Sequence, residues 1–207
     1  MTTRESVASH NMIMTYGYAL ALAARHHDRL TMLDWGGGIG HYYLLAQALL
    51  PDVEIEYHSK DLPLLCAYGA QLFPNQFFHP DDSCLHKAYD FVLASSSLQY
   101  AKDWRNVLRQ LVAATNGYLF IANLPMVQHT GAFVFVQRPY AHGYATEYLA
   151  WCLNQTELLD AAEAAGAQLL REFVYQLAPN IRHAPEQCVY RGYLFRHQTP
   201  AGAPKES

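Results

Sequence analysis

Residues 31–40 read TMLDWGGGIG, an apolar run that ends in an acid, Asp34, and opens into a loop with Gly36, Gly37, Gly38 and Gly40. Four glycines in five positions exceed what a tight strand-to-helix turn needs. Glycine permits positive φ and lets a ligand come close to the backbone, and the first amides of a following helix favour a carboxylate or phosphate. On physical grounds alone the loop suits a dinucleotide or another nucleoside.

Outward from the loop, short β-rich runs alternate with helical ones, the rhythm of βαβ units and a parallel sheet. Strands are expected at 30–35, 53–57, 76–79, 89–94 and 118–122, with helices at 39–50, 62–73 and 103–114. Pro51 ends the first of these helices, and Pro63 sits in the first turn of the second, where its missing donor costs nothing. The pattern changes at 124–145, where Pro125, Gly131, Pro139 and Gly143 surround a short β-like run at 133–137. This is read as an insertion that covers a pocket, with Gly131 and Gly143 as hinges. A last helix starts at Asn154, with Glu157 in capping-box spacing, and stops at Gly166. Runs at 168–175 and 189–196 read as a closing pair of strands. The expectation is one α/β domain over 1–198 with a doubly wound, mostly parallel sheet, preceded by a helical segment at 1–29 and followed by a disordered tail at 199–207.

The run MIMTYGYALALAA at 12–24 has the look of a signal-peptide core, but Arg4 and Glu5 precede it and Thr15, Tyr16 and Gly17 interrupt it. A packed helix ahead of the first strand is the better reading. The 207 residues suit a single domain, and 51% hydrophobic against 15% charged residues excludes a disordered body. A net charge of −4, with lysine only at Lys60, Lys87, Lys102 and Lys205, excludes the basic face that a nucleic-acid ligand requires. No stretch approaches the ~18 apolar residues of a membrane span, so a cytoplasmic protein acting on a small molecule is expected. Cys66, Cys84, Cys152 and Cys188 form no CxxC pair and read as reduced, mostly buried thiols. The eleven histidines include no HExxH, so no metal is expected.

The dinucleotide fingerprint is GxGxxG, whereas here Asp34 precedes glycines spaced as Gly36-x-Gly38-x-Gly40. A second acid, Asp61, follows Gly40 by 21 residues, past the second strand, where nucleoside-binding folds bond ribose hydroxyls. This pattern resembles motif I of class I methyltransferases, which bind S-adenosylmethionine. The resemblance extends to a small family of bacterial methyltransferases often associated with surface-polysaccharide genes. It rests on LDWGGGIG at 33–40, DLP at 61–63, SSSLQY at 95–100, Leu124-Pro125, and FVFVQ ending at Gln137.

The resemblance implies seven strands with the last antiparallel, and a cofactor across the carboxyl ends of the first four. Gly36, Gly37 and Gly38 would face its methionine and ribose portions, Asp61 its ribose hydroxyls, and Asp81 or Asp82 its adenine amino group. Ser95, Ser96 and Ser97 would line the floor, and Asp34, Gly40 and Leu62 complete the cofactor-binding set. His58-Ser59-Lys60 ahead of Asp61 departs from the family by placing the ribose acid later than usual. Asp61 also suits the N-cap of the helix beginning at Leu62.

Methyl transfer from a sulfonium needs in-line placement, and a hydroxyl acceptor benefits from a base. His129, in the insertion, is the candidate base, and Gln137, His142 and Tyr144 are candidate acceptor contacts, each with solvated-loop or strand-end packing as its ordinary alternative. The expected activity is S-adenosylmethionine-dependent methylation of a small hydroxylated metabolite or sugar, on oxygen, with S-adenosylhomocysteine as product. The alternatives are a non-catalytic binding or assembly protein of the same fold, and an NAD(P)-dependent oxidoreductase or epimerase, the latter weakened by the lack of YxxxK.

Overall fold

The computed structural model describes residues 7–143, 145–175 and 178–198. The tail at 199–207 and Tyr144 lie outside the described residues.

Strand β1 (Arg29–Trp35) runs between β2 (Glu54–Lys60) and β4 (Tyr89–Ser95), parallel to both. Its LTMLDW text is buried almost throughout, as a central parallel strand covered on two faces requires. Strand β3 (Phe77–His79) lies parallel to β2 at the edge, and β5 (Thr115–Val127) parallel to β4. The sheet closes with β8 (Ala167–Val174) and β9 (Val189–His197), β9 running antiparallel to both β5 and β8. The order β3-β2-β1-β4-β5-β9-β8 therefore reverses between β1 and β4. Such a switch point opens a crevice at the carboxyl ends of the strands.

Alternate residues of the central strands feed two cores. Leu30, Met32, Phe91 and Leu93 pack on one face with helix α1 (Val7–Ala23), which buries Tyr16, Ala19, Leu20 and Ala23 as one stripe. The Tyr16 hydroxyl donates to the Tyr42 carbonyl at 3.0 Å, fixing α1 to helix α2 (His41–Leu49). The 12–24 run is thus an integral layer of the fold. Leu33, Trp35, Val92 and Ala94 face the other way, toward helices α4 (Trp104–Ala113) and α5 (Gln155–Ala164). Helix α3 (Pro63–Leu72) links β2 to β3. No helix among the described residues is long and apolar enough to cross a membrane.

The seven expected strands are joined by two more. Strand β5 continues to Val127, and the run Phe133–Gln137 is β6, paired antiparallel with β7 (Tyr148–Asn154). Strand β7 in turn lies parallel to β5 at Met126 and Val127. The segment expected as a hinged insertion, 124–145, holds the end of β5, then β6 and the turn Pro139–His142, with β6 pairing to β7 beyond it. Asn154 ends β7 and caps α5 at once, so the β character of YLAWCLN merges with the helix start in the sequence. Its Oδ1 accepts from the Glu157 amide at 3.0 Å, while the Glu157 carboxylate turns to Arg105 and to the Ala132 amide, so only one arm of the capping box forms.

The cysteines require a correction. Cys152 on β7 and Cys188 just before β9 form a disulfide, leaving Cys66 and Cys84 as the buried free thiols. Their separation of 36 residues gives no hint of the pairing, which arises only because the hairpin brings β7 beside the approach to β9. Burial pushes the Cys84 thiol up to about 11.

Candidate functional site

The glycine loop leaves β1 and folds back over its own strand end. A side chain at Gly36 would fall on Ser97, and one at Gly37 on the carboxyl of Asp34 and the hydroxyl of Ser59. Packing below the loop therefore demands glycine at both. Gly38 differs: at φ +60 a side chain there would meet nothing within 4 Å. At Gly38 the loop turns its backbone to open space, the condition for close approach of a ligand.

The end of β2 holds this loop. The amides of Gly36 and Gly37 donate to the Lys60 carbonyl at 2.7 and 3.3 Å, and the Gly38 amide donates to Asp61 Oδ2 at 2.8 Å. The other oxygen of Asp61 accepts from the Leu62 amide at 2.7 Å. The N-cap of α3 is Leu62, without a side-chain cap bond, so Asp61 braces the loop instead of capping the helix. Leu62 is exposed beside it.

Asp34 lies beneath the loop, fully buried, with the Tyr57 hydroxyl donating to its Oδ2 at 2.7 Å. Its Oδ1 has no partner among the described residues, nor has the buried Ser59 hydroxyl. Burial pushes the Asp34 carboxyl up to about 7, with the Tyr57 bond pulling the other way and Asp61 adding to the rise.

The two acids after β3 have different partners. Asp81 accepts from the Ser83 amide at 3.0 Å in its own turn, bonds to Ser83 that hold its carboxyl below the usual range. Asp82 accepts from the Trp35 indole at 2.9 Å and pairs with Lys60 at 3.2 Å, the ammonium standing 4.8 Å over the Trp35 ring. Asp82 is thereby tied to the loop's flank, and Asp81 is not.

Past β4, Ser95 shares a 2.8 Å hydrogen bond with the Tyr42 hydroxyl, and the Ser97 hydroxyl donates to the Trp35 carbonyl at 2.7 Å. Ser96 and Asn123 both have φ +53, and the Asn123 amide donates to the Ser96 hydroxyl. Left-handed non-glycine residues are uncommon and gather where a site constrains the backbone. Asn123 and Tyr57 carry no motif that marks them as site residues in the sequence. Asparagine's tolerance of the left-handed region was the one available signal.

Gln137 accepts from the Tyr100 hydroxyl at 3.0 Å, joining β6 to the 3-10 turn Leu98–Tyr100 that follows β4. The Tyr100 and Tyr148 rings meet edge-on at 5.3 Å. His129 is exposed on the turn between β5 and β6, where the amides of Gln128, His129 and Thr130 donate to the Glu186 carboxylate at 2.8–2.9 Å. Burial raises the Glu186 carboxyl, but these amides outweigh it and bring it to about 2. Among the described residues no hydrogen bond or ring contact joins the His129 imidazole to the glycine loop. His142 closes the short turn Pro139–His142 ahead of Gly143, and Tyr144 lies outside the described residues.

Residues 13–172 match the family described as methyltransferase domain. No curated protein matches the chain. A solved structure from Listeria monocytogenes, assigned as an S-adenosylmethionine dependent methyltransferase, superposes with a TM-score of 0.67 at 12% identity, covering 94% of this chain and 100% of that one. The sugar N-methyltransferase KedS8 from a Streptoalloteichus species gives 0.63 at 13% identity, covering 94% and 89%. The Burkholderia thailandensis 1,6-didemethyltoxoflavin-N1-methyltransferase, solved with its substrate and S-adenosylhomocysteine, gives 0.59 at 14% identity, covering 91% and 79%. At these identities the likeness is one of fold.

Proposed function

Because the chain belongs to the methyltransferase domain family, we propose that it is an S-adenosylmethionine-dependent methyltransferase whose acceptor is a small hydroxylated metabolite or sugar, methylated on oxygen. The observation that carries this reading is the pairing at the end of β1: the loop opens to a ligand at Gly38, and the carboxylate that braces it, Asp61, keeps lone pairs for ribose hydroxyls. The residues present fit such a cofactor. Gly38 admits its close approach, Asp61 accepts its ribose hydroxyls, and exposed Leu62 offers an apolar surface to its base. Asp34 acts from below by shaping Gly37, and Asp82 by fixing Trp35 at the flank. Asp81 retains an exposed carboxylate for the adenine amino group. Ser95 and Ser96 form the floor through Tyr42 and Asn123.

S-adenosylmethionine, when bound, supplies a methyl group on a positively charged sulfur. The chain's own task is then to seat the acceptor in line, keep water out and take up a proton. Gln137, held by Tyr100, supplies a polar contact for the acceptor, with His142 and Tyr144 beyond it on the same connection. His129 is our candidate base, on a turn clamped by Glu186. A sugar acceptor is supported by the likeness to KedS8 and by the resemblance to methyltransferases of surface-polysaccharide genes. We place the reaction in the cytoplasm, although the Cys152–Cys188 disulfide is a bond more usual in oxidising compartments. A mass spectrum of the purified protein tests the cofactor: S-adenosylmethionine or S-adenosylhomocysteine is expected to co-purify, and a nicotinamide dinucleotide in its place would overturn the reading.

A further inference from the structure

Gln99 sits in the 3-10 turn after β4 and is only 3% exposed, yet its carbonyl oxygen Oε1 has no donor among the described residues. A buried acceptor without a donor weakens the fold, and a ligand hydroxyl that reached it would pair it. The side chains beside it in the turn, Leu98 and Tyr100, are neutral. Tyr100, bonded to Gln137, presents a partly exposed ring edge-on to Tyr148. Burial first, then Tyr148, pushes the Tyr100 hydroxyl up to about 12 against a lowering hydrogen bond with the Gln99 side chain, and burial followed by Tyr148 raises Tyr190 as well. These phenols stay protonated donors at any physiological pH. Along the chain, Arg105 pairs with Glu157, Arg138 with Glu147 and Arg191 with Glu172, the Arg191 Nε keeping no partner among the described residues. The turn is also adjacent to the loop, because Ser97 at its start packs directly on Gly36.

We propose that Gln99 is a specificity-determining residue, its carbonyl accepting from a hydroxyl of a neutral, polyhydroxylated acceptor seated against Tyr100 and Tyr148. This rests on the methyltransferase reading above. Neutral amide and phenol groups satisfy sugar hydroxyls in both directions, and aromatic faces cover the apolar face of a sugar ring. A site built to bond a hydroxyl discriminates steeply against a ligand that leaves its polar atoms unpaired. Gln99, Tyr100 and Tyr148 themselves offer no counter-charge to a carboxylate, whose desolvation against them goes uncompensated.

The test is ligand-observed NMR titration of the full chain, saturated with S-adenosylhomocysteine, against methyl glucopyranoside and methyl glucuronide. The glucoside is expected to bind, with the glucuronide at least tenfold weaker. In Gln99→Leu the glucoside should weaken tenfold or more, while S-adenosylhomocysteine affinity holds and the melting temperature stays level or rises, because an unpaired acceptor has gone. A purely packing role for Gln99 would instead lower the melting temperature and leave the ratio of the two sugars unchanged. Gln99→Met, closer in shape, repeats the measurement should the leucine variant melt lower. Equal binding of both sugars, unchanged glucoside affinity in the variants, or no sugar binding by a chain that does bind S-adenosylhomocysteine would each overturn the assignment. A chain that fails to bind S-adenosylhomocysteine would overturn the reading beneath it, and the two failures are read separately.

Discussion

The Gly38 amide donates to Asp61 Oδ2 at 2.8 Å, so the turn at the end of β1 and the residue just past β2 form one unit. The register of the two strands sets this up, with Trp35 opposite Lys60 at the last rung and the loop and Asp61 emerging side by side. A single carboxylate thus fixes the shape of the loop and offers its remaining lone pairs outward.

Asp61→Ala should therefore weaken S-adenosylhomocysteine binding on two counts, loss of the charge-assisted bonds to ribose, each worth roughly 1.5–3 kcal/mol, and loosening of Gly38. Since Leu62 and not Asp61 is the N-cap of α3, little stability should be lost. Calorimetry and a thermal melt on the same variant check this. A lower melting temperature with intact affinity would return Asp61 to a structural role.

Asp34 makes stability depend on pH in an unusual direction. Its carboxyl is raised from 3.8 to about 7 by burial, so between those values the folded chain holds a proton that the unfolded chain has released. Stability from this group is present below about pH 4 and is lost as pH rises through about 7. Asp34→Asn keeps an acceptor for Tyr57 and removes the titration, and should flatten the fall in melting temperature between pH 4 and 8. An unchanged slope would show that Asp34 is not the group responsible.

Cys152→Ala is expected to lower stability by about 2–4 kcal/mol under oxidising conditions, the usual range for a cross-link. With excess reductant the variant and the parent should converge. Denaturant titrations in both conditions decide the matter, and equal midpoints without reductant would mean that the disulfide contributes nothing.

His129→Ala should reduce turnover about a hundredfold, the common scale of general-base assistance, with S-adenosylhomocysteine affinity unchanged. Because Glu186 holds the turn through backbone amides, removal of the imidazole leaves the turn in place. Undiminished turnover would leave catalysis to placement alone.

Much of this was legible from local text. Glycine spacing, the position of Asp61 and the apolar runs of β1 and β4 each declare themselves within a few residues, and the structure places them at one switch point. What was not legible depends on contacts between distant segments. The β6–β7 hairpin, the Cys152–Cys188 bridge and the Tyr100–Gln137 bond join stretches whose separate sequences carry no mark of one another. Asp34 illustrates the division well. Its place before the glycines was plain from the sequence, while its burial beneath Gly37 follows from the packing of Ser59 and Tyr57 on the neighbouring strand.

The central claim is most directly tested by titration calorimetry of the full chain with S-adenosylhomocysteine and with NAD. A loop open at Gly38, preceded by Asp34 and braced by Asp61, predicts binding of S-adenosylhomocysteine with a Kd on the micromolar scale, roughly −8 kcal/mol, and no measurable heat with NAD. Tight NAD binding without S-adenosylhomocysteine binding would contradict it.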